Sequence, residues 1–188
     1  MTQRFRSIPV LLLALLAGCN DPNAIPNATI PNVLDTVTLW SLDGGPLDKP
    51  TAYSLNSRRG VRTWEAGNNY EFIYTVDPAG RSYLLPLQLA VPGNPDAVHP
   101  GLKPATGPFD QMTKAPQNNY ITEDSVPASE GQFYYLRTGV NTCSGLGVPL
   151  YGKLELLDID TVLQTITFRT VVDQNCGYRG LRLGIPGS

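Results

Sequence analysis

The residues of this chain with chemistry to offer are three cysteines, one histidine, a pair of close aspartates and a tail that carries an aromatic beside an arginine. A catalytic thiol needs a nearby base to make the thiolate, and the sole imidazole, His99, lies in a proline-rich stretch. Metal-site spacing is missing, with neither paired histidines nor Cys-x-x-Cys. Asp158 and Asp160 flank a single residue, which falls short of the ligand number calcium takes, and aspartates are ordinary turn residues. Glu155 and Asp158 could be read as a catalytic carboxylate pair, but Glu155 is better explained as an outward strand residue facing Arg169. No Gly-x-Ser-x-Gly elbow, Walker loop or Gly-x-Gly-x-x-Gly is present. These residues predict no enzyme, no cofactor and no metal.

Cys19 has a different setting. Arg4 and Arg6 precede the apolar run Ile8–Leu16, and Leu16-Ala17-Gly18-Cys19 follows. A basic start, a short apolar core and small residues at the cut describe a secretory signal peptide, and the run is short for a membrane-spanning helix. Leu-Ala-Gly-Cys also resembles the bacterial lipobox, which implies cleavage before Cys19 and attachment of lipid to its thiol. Removal of Met1–Gly18 takes both arginines away, leaving twelve basic against sixteen acidic residues, net −4. That balance argues against a nucleic-acid partner, which would need a basic patch. Asn20 and Asp21 follow Cys19, and an acidic residue there points to the outer membrane. Residues 19–34, with the near-repeat Ala24-Ile25-Pro26-Asn27 and Thr29-Ile30-Pro31-Asn32, read as a flexible tether holding the domain tens of Å from the bilayer.

Cys143 and Cys176 remain as an even pair in an oxidising compartment and predict a disulfide. They bracket the stretch around which the fold is organised. Leu150–Leu157 and Thr165–Val172 both alternate with period two, the signature of half-buried strands, and Asp158–Gln164 connects them. Glu155 opposite Arg169 sets unlike charges across the pair and places Leu156 opposite Phe168. Closing the antiparallel hairpin brings the two cysteines together.

The rest of the chain must supply the sheets on which this hairpin packs. Asp35–Leu42, Thr51–Leu55, Val61–Trp64, Tyr70–Val76, Arg81–Leu85, Tyr120–Thr122, Ser125–Ala128 and Gln132–Thr138 read as short strands. Asp77-Pro78-Ala79-Gly80 fits a type I turn between two of them. Pro86–Pro116, rich in Pro and Gly, reads as a long surface loop. With 41% hydrophobic and 16% charged residues, residues 35–188 are expected to form one folded domain. The fold class expected is all-β, an antiparallel sandwich or open barrel of about 7–9 short strands.

Aromatics on predicted strands (Trp40, Trp64, Tyr134 and Tyr135) read as core filling. In the tail, glycines flank Tyr178 and Arg179 just past Cys176, making that pair the candidate contact for a partner. YEFIYTVDPAGRSYLLPL, LYGKLELLDIDTVLQTITFR and NCGYRGL, taken with the lipobox, resemble small uncharacterised β-rich bacterial lipoproteins. The Tyr-x-Lys-Leu and Thr-x-Thr-Phe hairpin is also faintly similar to HmuY-like haem-binding lipoproteins, which ligate haem through two histidines; this chain has His99 alone. The expectation is a non-enzymatic, lipid-anchored envelope protein that binds an envelope protein or a small ligand. The alternatives are a carrier of a hydrophobic or haem-type molecule under the Pro86–Pro116 stretch and, more remotely, a hydrolase with an unrecognised site.

Overall fold

The computed structural model describes residues 25–93, 98–143 and 145–186; Cys19 and the stretch expected as a signal peptide lie outside them. Ten strands follow one another along the chain: β1 (Leu34–Trp40), β2 (Ala52–Ser54), β3 (Arg59–Val61), β4 (Phe72–Val76), β5 (Ser82–Pro86), β6 (Gly101–Ala105), β7 (Val126–Pro127), β8 (Phe133–Arg137), β9 (Tyr151–Asp160) and β10 (Thr165–Asp173). They form two five-stranded antiparallel sheets, ordered β1-β10-β9-β8-β6 and β3-β2-β4-β5-β7. Neither sheet closes into a barrel, and the two pack as a sandwich.

The core lies between the sheets because each strand turns its alternate residues inward. Val37, Leu39, Leu154, Leu156, Phe168 and Tyr134 of one sheet meet Tyr53, Phe72, Tyr74 and Leu84 of the other. Phe168 stands edge-on to Tyr53 with centroids 5.2 Å apart, and Phe72 closes the cluster at 5.9 Å from Phe168. Burying each large apolar side chain contributes roughly 1.5–3 kcal/mol, and an aromatic pair adds about 0.5–1.5.

The β9–β10 hairpin has the expected register, with Glu155 opposite Arg169 and Leu156 opposite Phe168. Arg169 Nε donates to Glu155 Oε2 at 2.5 Å. A bulge then leaves Leu157 without a partner, since Phe168 pairs with Leu156 and Thr167 with Asp158. The extra residue re-phases the strand: Ile159 turns toward the core, and Asp158 turns outward. The strands run further than the sequence pattern suggests, so the connector is Thr161–Gln164. Asp160 Oδ1 accepts the amides of Val162 and Leu163, both at 2.8 Å, and this carboxylate caps a turn. The β4–β5 hairpin also forms as read, with Gly80 N–H bonded to Asp77 O at 2.9 Å.

Several expectations need correction. Pro86–Pro116 is not a plain surface loop. It holds a short helix, Leu87–Ala90, the sheet-edge strand β6 and a 3-10 turn, Phe109–Gln111, and it buries Leu87, Leu102, Phe109 and Met112. Pro104 is tolerated because β6 is an edge strand. Gly101 allows Ile121 to bridge Leu102, since a Cβ there would lie 2.7 Å from the Ile121 carbonyl oxygen. Trp64 sits on a one-turn helix, Thr63–Ala66, rather than a strand, and is 69% exposed. The stretch expected as a flexible tether already packs on Gly177 at Ile25 and is hydrogen-bonded to the domain from Thr29 onward, and β1 begins within it at Leu34.

Candidate functional site

The site is built at the end of the sandwich where both described chain ends meet. β10 runs out at Asp173, and the disulfide Cys143–Cys176, with Cα atoms 5.8 Å apart, fastens the chain that follows to the turn before β9. Between them Asn175 acts as a clamp. Its Oδ1 accepts the amides of Thr29 and Ile30 at 2.8 and 2.9 Å, while its Nδ2 donates to Ile30 O and Asp173 Oδ1, both at 2.8 Å. Gly177 adopts φ +79°, and a Cβ there would lie 2.8 Å from Ile25 Cδ1, so this position calls for glycine.

Beyond the disulfide the tail lies along residues 113–115 like a short extra strand. Ala115 N–H donates to Arg179 O at 2.8 Å, and Leu181 N–H donates to Thr113 O at 2.9 Å. Asn32 locks the other side: its Nδ2 reaches Gly180 O at 2.7 Å and Arg182 O at 2.9 Å, and its backbone pairs with Gly184. Leu181 is fully buried with Ala115 and Tyr151, forming a second small core on the outer face of the β9 sheet.

These constraints leave an open cleft of about 780 Å³ beside the tail. Tyr178 and Arg179, the predicted contact pair, both line it, together with Ile25, Lys114, Arg182, Leu183 and Ile185. Arg179 Nη1 donates to Ala115 O at 3.2 Å, which orients the guanidinium along the wall. Among the described residues no aspartate or glutamate lines this cleft, and Lys114, Arg179 and Arg182 pair with no carboxylate. In a chain of net negative charge, this end is locally cationic.

A second cleft of about 380 Å³ adjoins the first, sharing Thr113, Arg182 and Leu183, and is bordered by Leu34, Phe109, Asp110, Lys153 and Arg169. The Phe109 ring carries Lys153 Nζ at 4.3 Å and Arg169 Cζ at 4.5 Å from its centroid, a cation–π arrangement. Lys153 Nζ also donates to Phe109 O at 2.8 Å. Burial pushes the Lys153 ammonium below its ordinary pKa and Arg169 adds to the effect, while Asp110 opposes it. Deeper in the same end, burial raises the Asp173 carboxyl despite the bonds from Asn175.

The other sequence candidates lie elsewhere. His99 sits just before β6, its carbonyl accepting from Arg137 Nη2 at 3.1 Å, and it borders none of the clefts described here. Tyr134 is buried in the main core, and Tyr135 packs against the second one. A third cleft of about 330 Å³ opens between β6 and β7, with Pro104, Ala105, Ile121, Val126 and Phe133 in its wall. No group of three or more His, Cys, Asp or Glu side chains capable of holding a metal assembles among the described residues. Sequence reasoning missed Asn32, Lys114, Asn175 and the exposed Leu183 and Ile185. Only the second Ile-Pro-Asn of the near-repeat, which supplies Asn32, carried a visible signal.

Compared with family models, curated proteins and solved structures, the chain matches none of them.

Proposed function

We propose that this protein is a lipid-anchored component of the bacterial cell envelope, held through Cys19 in the outer membrane, and that it binds a partner without transforming it. The binding surface is the tail cleft. The observation that carries the reading is the composition of its wall: Lys114, Arg179 and Arg182 stand beside exposed Ile25, Leu183 and Ile185, with no carboxylate, imidazole or thiol among the described residues that line it. Such a surface suits an anionic, partly apolar partner, and its described residues bring together no nucleophile with an oriented base. The Leu-Ala-Gly-Cys motif supports the anchor.

The reading is tested by growing cells with an alkyne-tagged fatty acid. Wild type should incorporate the tag and Cys19→Ser should not. Equal labelling of the two, or none in wild type, would refute it. A second reading, a carrier for a small apolar molecule, draws on the cleft between β6 and β7, whose volume lies at the low end for a ligand pocket. Its test is loss of a bound fluorescent fatty acid in Ile121→Asp.

A further inference from the structure

The described chain begins at Ile25 on the rim of the tail cleft, only six residues after Cys19. Six residues span at most about 20 Å even when fully extended. The reach is shorter than β9, whose ten residues run about 30 Å. An anchor at Cys19 therefore cannot suspend the sandwich at a distance, and it draws this end toward whatever holds the lipid.

That end is shaped to be covered. Ile25, Leu34, Leu183 and Ile185 are 43%, 48%, 63% and 57% exposed. They are contiguous, because Leu183 borders both the large cleft with Ile25 and Ile185 and the adjoining one with Leu34. Lys114 and Arg182 stand among them. The opposite end, at the β9–β10 turn, also exposes apolar residues, Val162 and Leu163, but its surroundings carry Asp158 and Asp160. Asp110 borders the adjoining cleft, but among the described residues Lys114, Arg179 and Arg182 outnumber it, so the end on the short leash is the cationic one.

We propose that the face formed by Ile25, Leu34, Leu183 and Ile185, with Lys114 and Arg182 among them, seats on a bilayer surface that carries anionic phospholipid. The proposal rests on the lipid anchor of the preceding section and names the partner of the same surface. Apolar side chains enter the headgroup boundary, and the two cations meet lipid phosphates. Each cation near an anionic leaflet favours seating roughly fivefold, and added salt weakens that contribution.

The test uses the full chain expressed and processed in cells, purified, weighed by mass spectrometry and reconstituted into vesicles. One set contains phosphatidylcholine alone, the other phosphatidylcholine with phosphatidylglycerol. Amide hydrogen exchange is followed at 180–186 and, as an internal control, at 161–164. The proposal expects exchange at 180–186 to slow roughly fivefold or more on the anionic vesicles, with no change at 161–164. Salt should reverse the slowing. Leu183→Glu combined with Ile185→Glu, both at exposed positions, should abolish it, and so should Lys114→Glu combined with Arg182→Glu. Equal exchange on both vesicle types, protection of the 161–164 turn instead, or slowing that follows protein density rather than lipid composition would overturn the proposal; the last would show a second copy covering the face. A mass without lipid on Cys19 would instead bring down the anchor, and that readout is independent of the exchange data.

Discussion

Replacing Glu71 with glutamine should make the protein more stable at neutral pH and leave it unchanged near pH 4. Glu71 is completely buried just ahead of β4, where its Oε2 accepts the Leu55 amide at 2.5 Å. Among the described residues no lysine or arginine forms an ion pair with it. Burial pushes its carboxyl up to about 8 from an ordinary value of 4.5, and the Leu55 amide offsets only part of that. Below pH 4.5 both the folded and unfolded chains hold the proton, so the group costs nothing. Between 4.5 and 8 the unfolded chain ionises while the folded one does not, and stability falls by about 1.4 kcal/mol per pH unit. At pH 7 the loss reaches about 3 kcal/mol, and above pH 8 it levels off. Glutamine keeps an acceptor for the Leu55 amide and has no proton to lose. Urea unfolding of wild type and Glu71→Gln across this range, with the disulfide intact, gives the difference curve. Other buried groups such as Asp173 cancel in that difference. If Glu71→Gln were the less stable protein at pH 7 and above, the carboxylate would be ionised and stabilised in the fold, and the reasoning would fail.

Three further outcomes follow from the tail and its fastenings. Cys143→Ala, Cys176→Ala and the double variant should each lose a similar amount, about 4 kcal/mol for a loop closed across 33 residues, as read by urea unfolding. Asn175→Ala removes four hydrogen bonds and should cost about 2–4 kcal/mol, with amide exchange at Thr29 and Ile30 accelerating. Leu181→Ala should cost about 2–5 kcal/mol because it opens a cavity in the second core, whereas Tyr178→Ala at the cleft wall should shift the melting temperature little; a large loss from Tyr178→Ala would show that this residue serves the fold instead of a partner.

Much of the fold was legible because local rules and tertiary packing agree. Period-two alternation and the unlike charges of Glu155 and Arg169 select one register, and the structure has it. Asp77-Pro78-Ala79-Gly80 could be read as a turn because each residue suits its position. The disulfide followed from an even cysteine pair flanking a hairpin. What escaped reading depends on contacts distant in sequence. Pro104 and Gly101 look like loop residues until β8 and Ile121 are seen to flank them. Asn32 and Asn175 look like turn or tether residues, yet both clamp backbone across more than 140 residues of sequence. The Leu157 bulge was hidden because consecutive leucines fit either phase of the strand. At the candidate site Tyr178 and Arg179 stood out, but the cations and aliphatics around them come from three separate stretches of chain.

The proposed anchor at Cys19 underlies both the proposed envelope role and the proposed orientation on the bilayer, and the intact mass of the mature protein extracted from cells tests it most directly. The account predicts a chain that has lost Met1–Gly18, begins at Cys19 and carries the added mass of lipid there. A mature chain cut at another residue, or one with an unmodified Cys19, would contradict it.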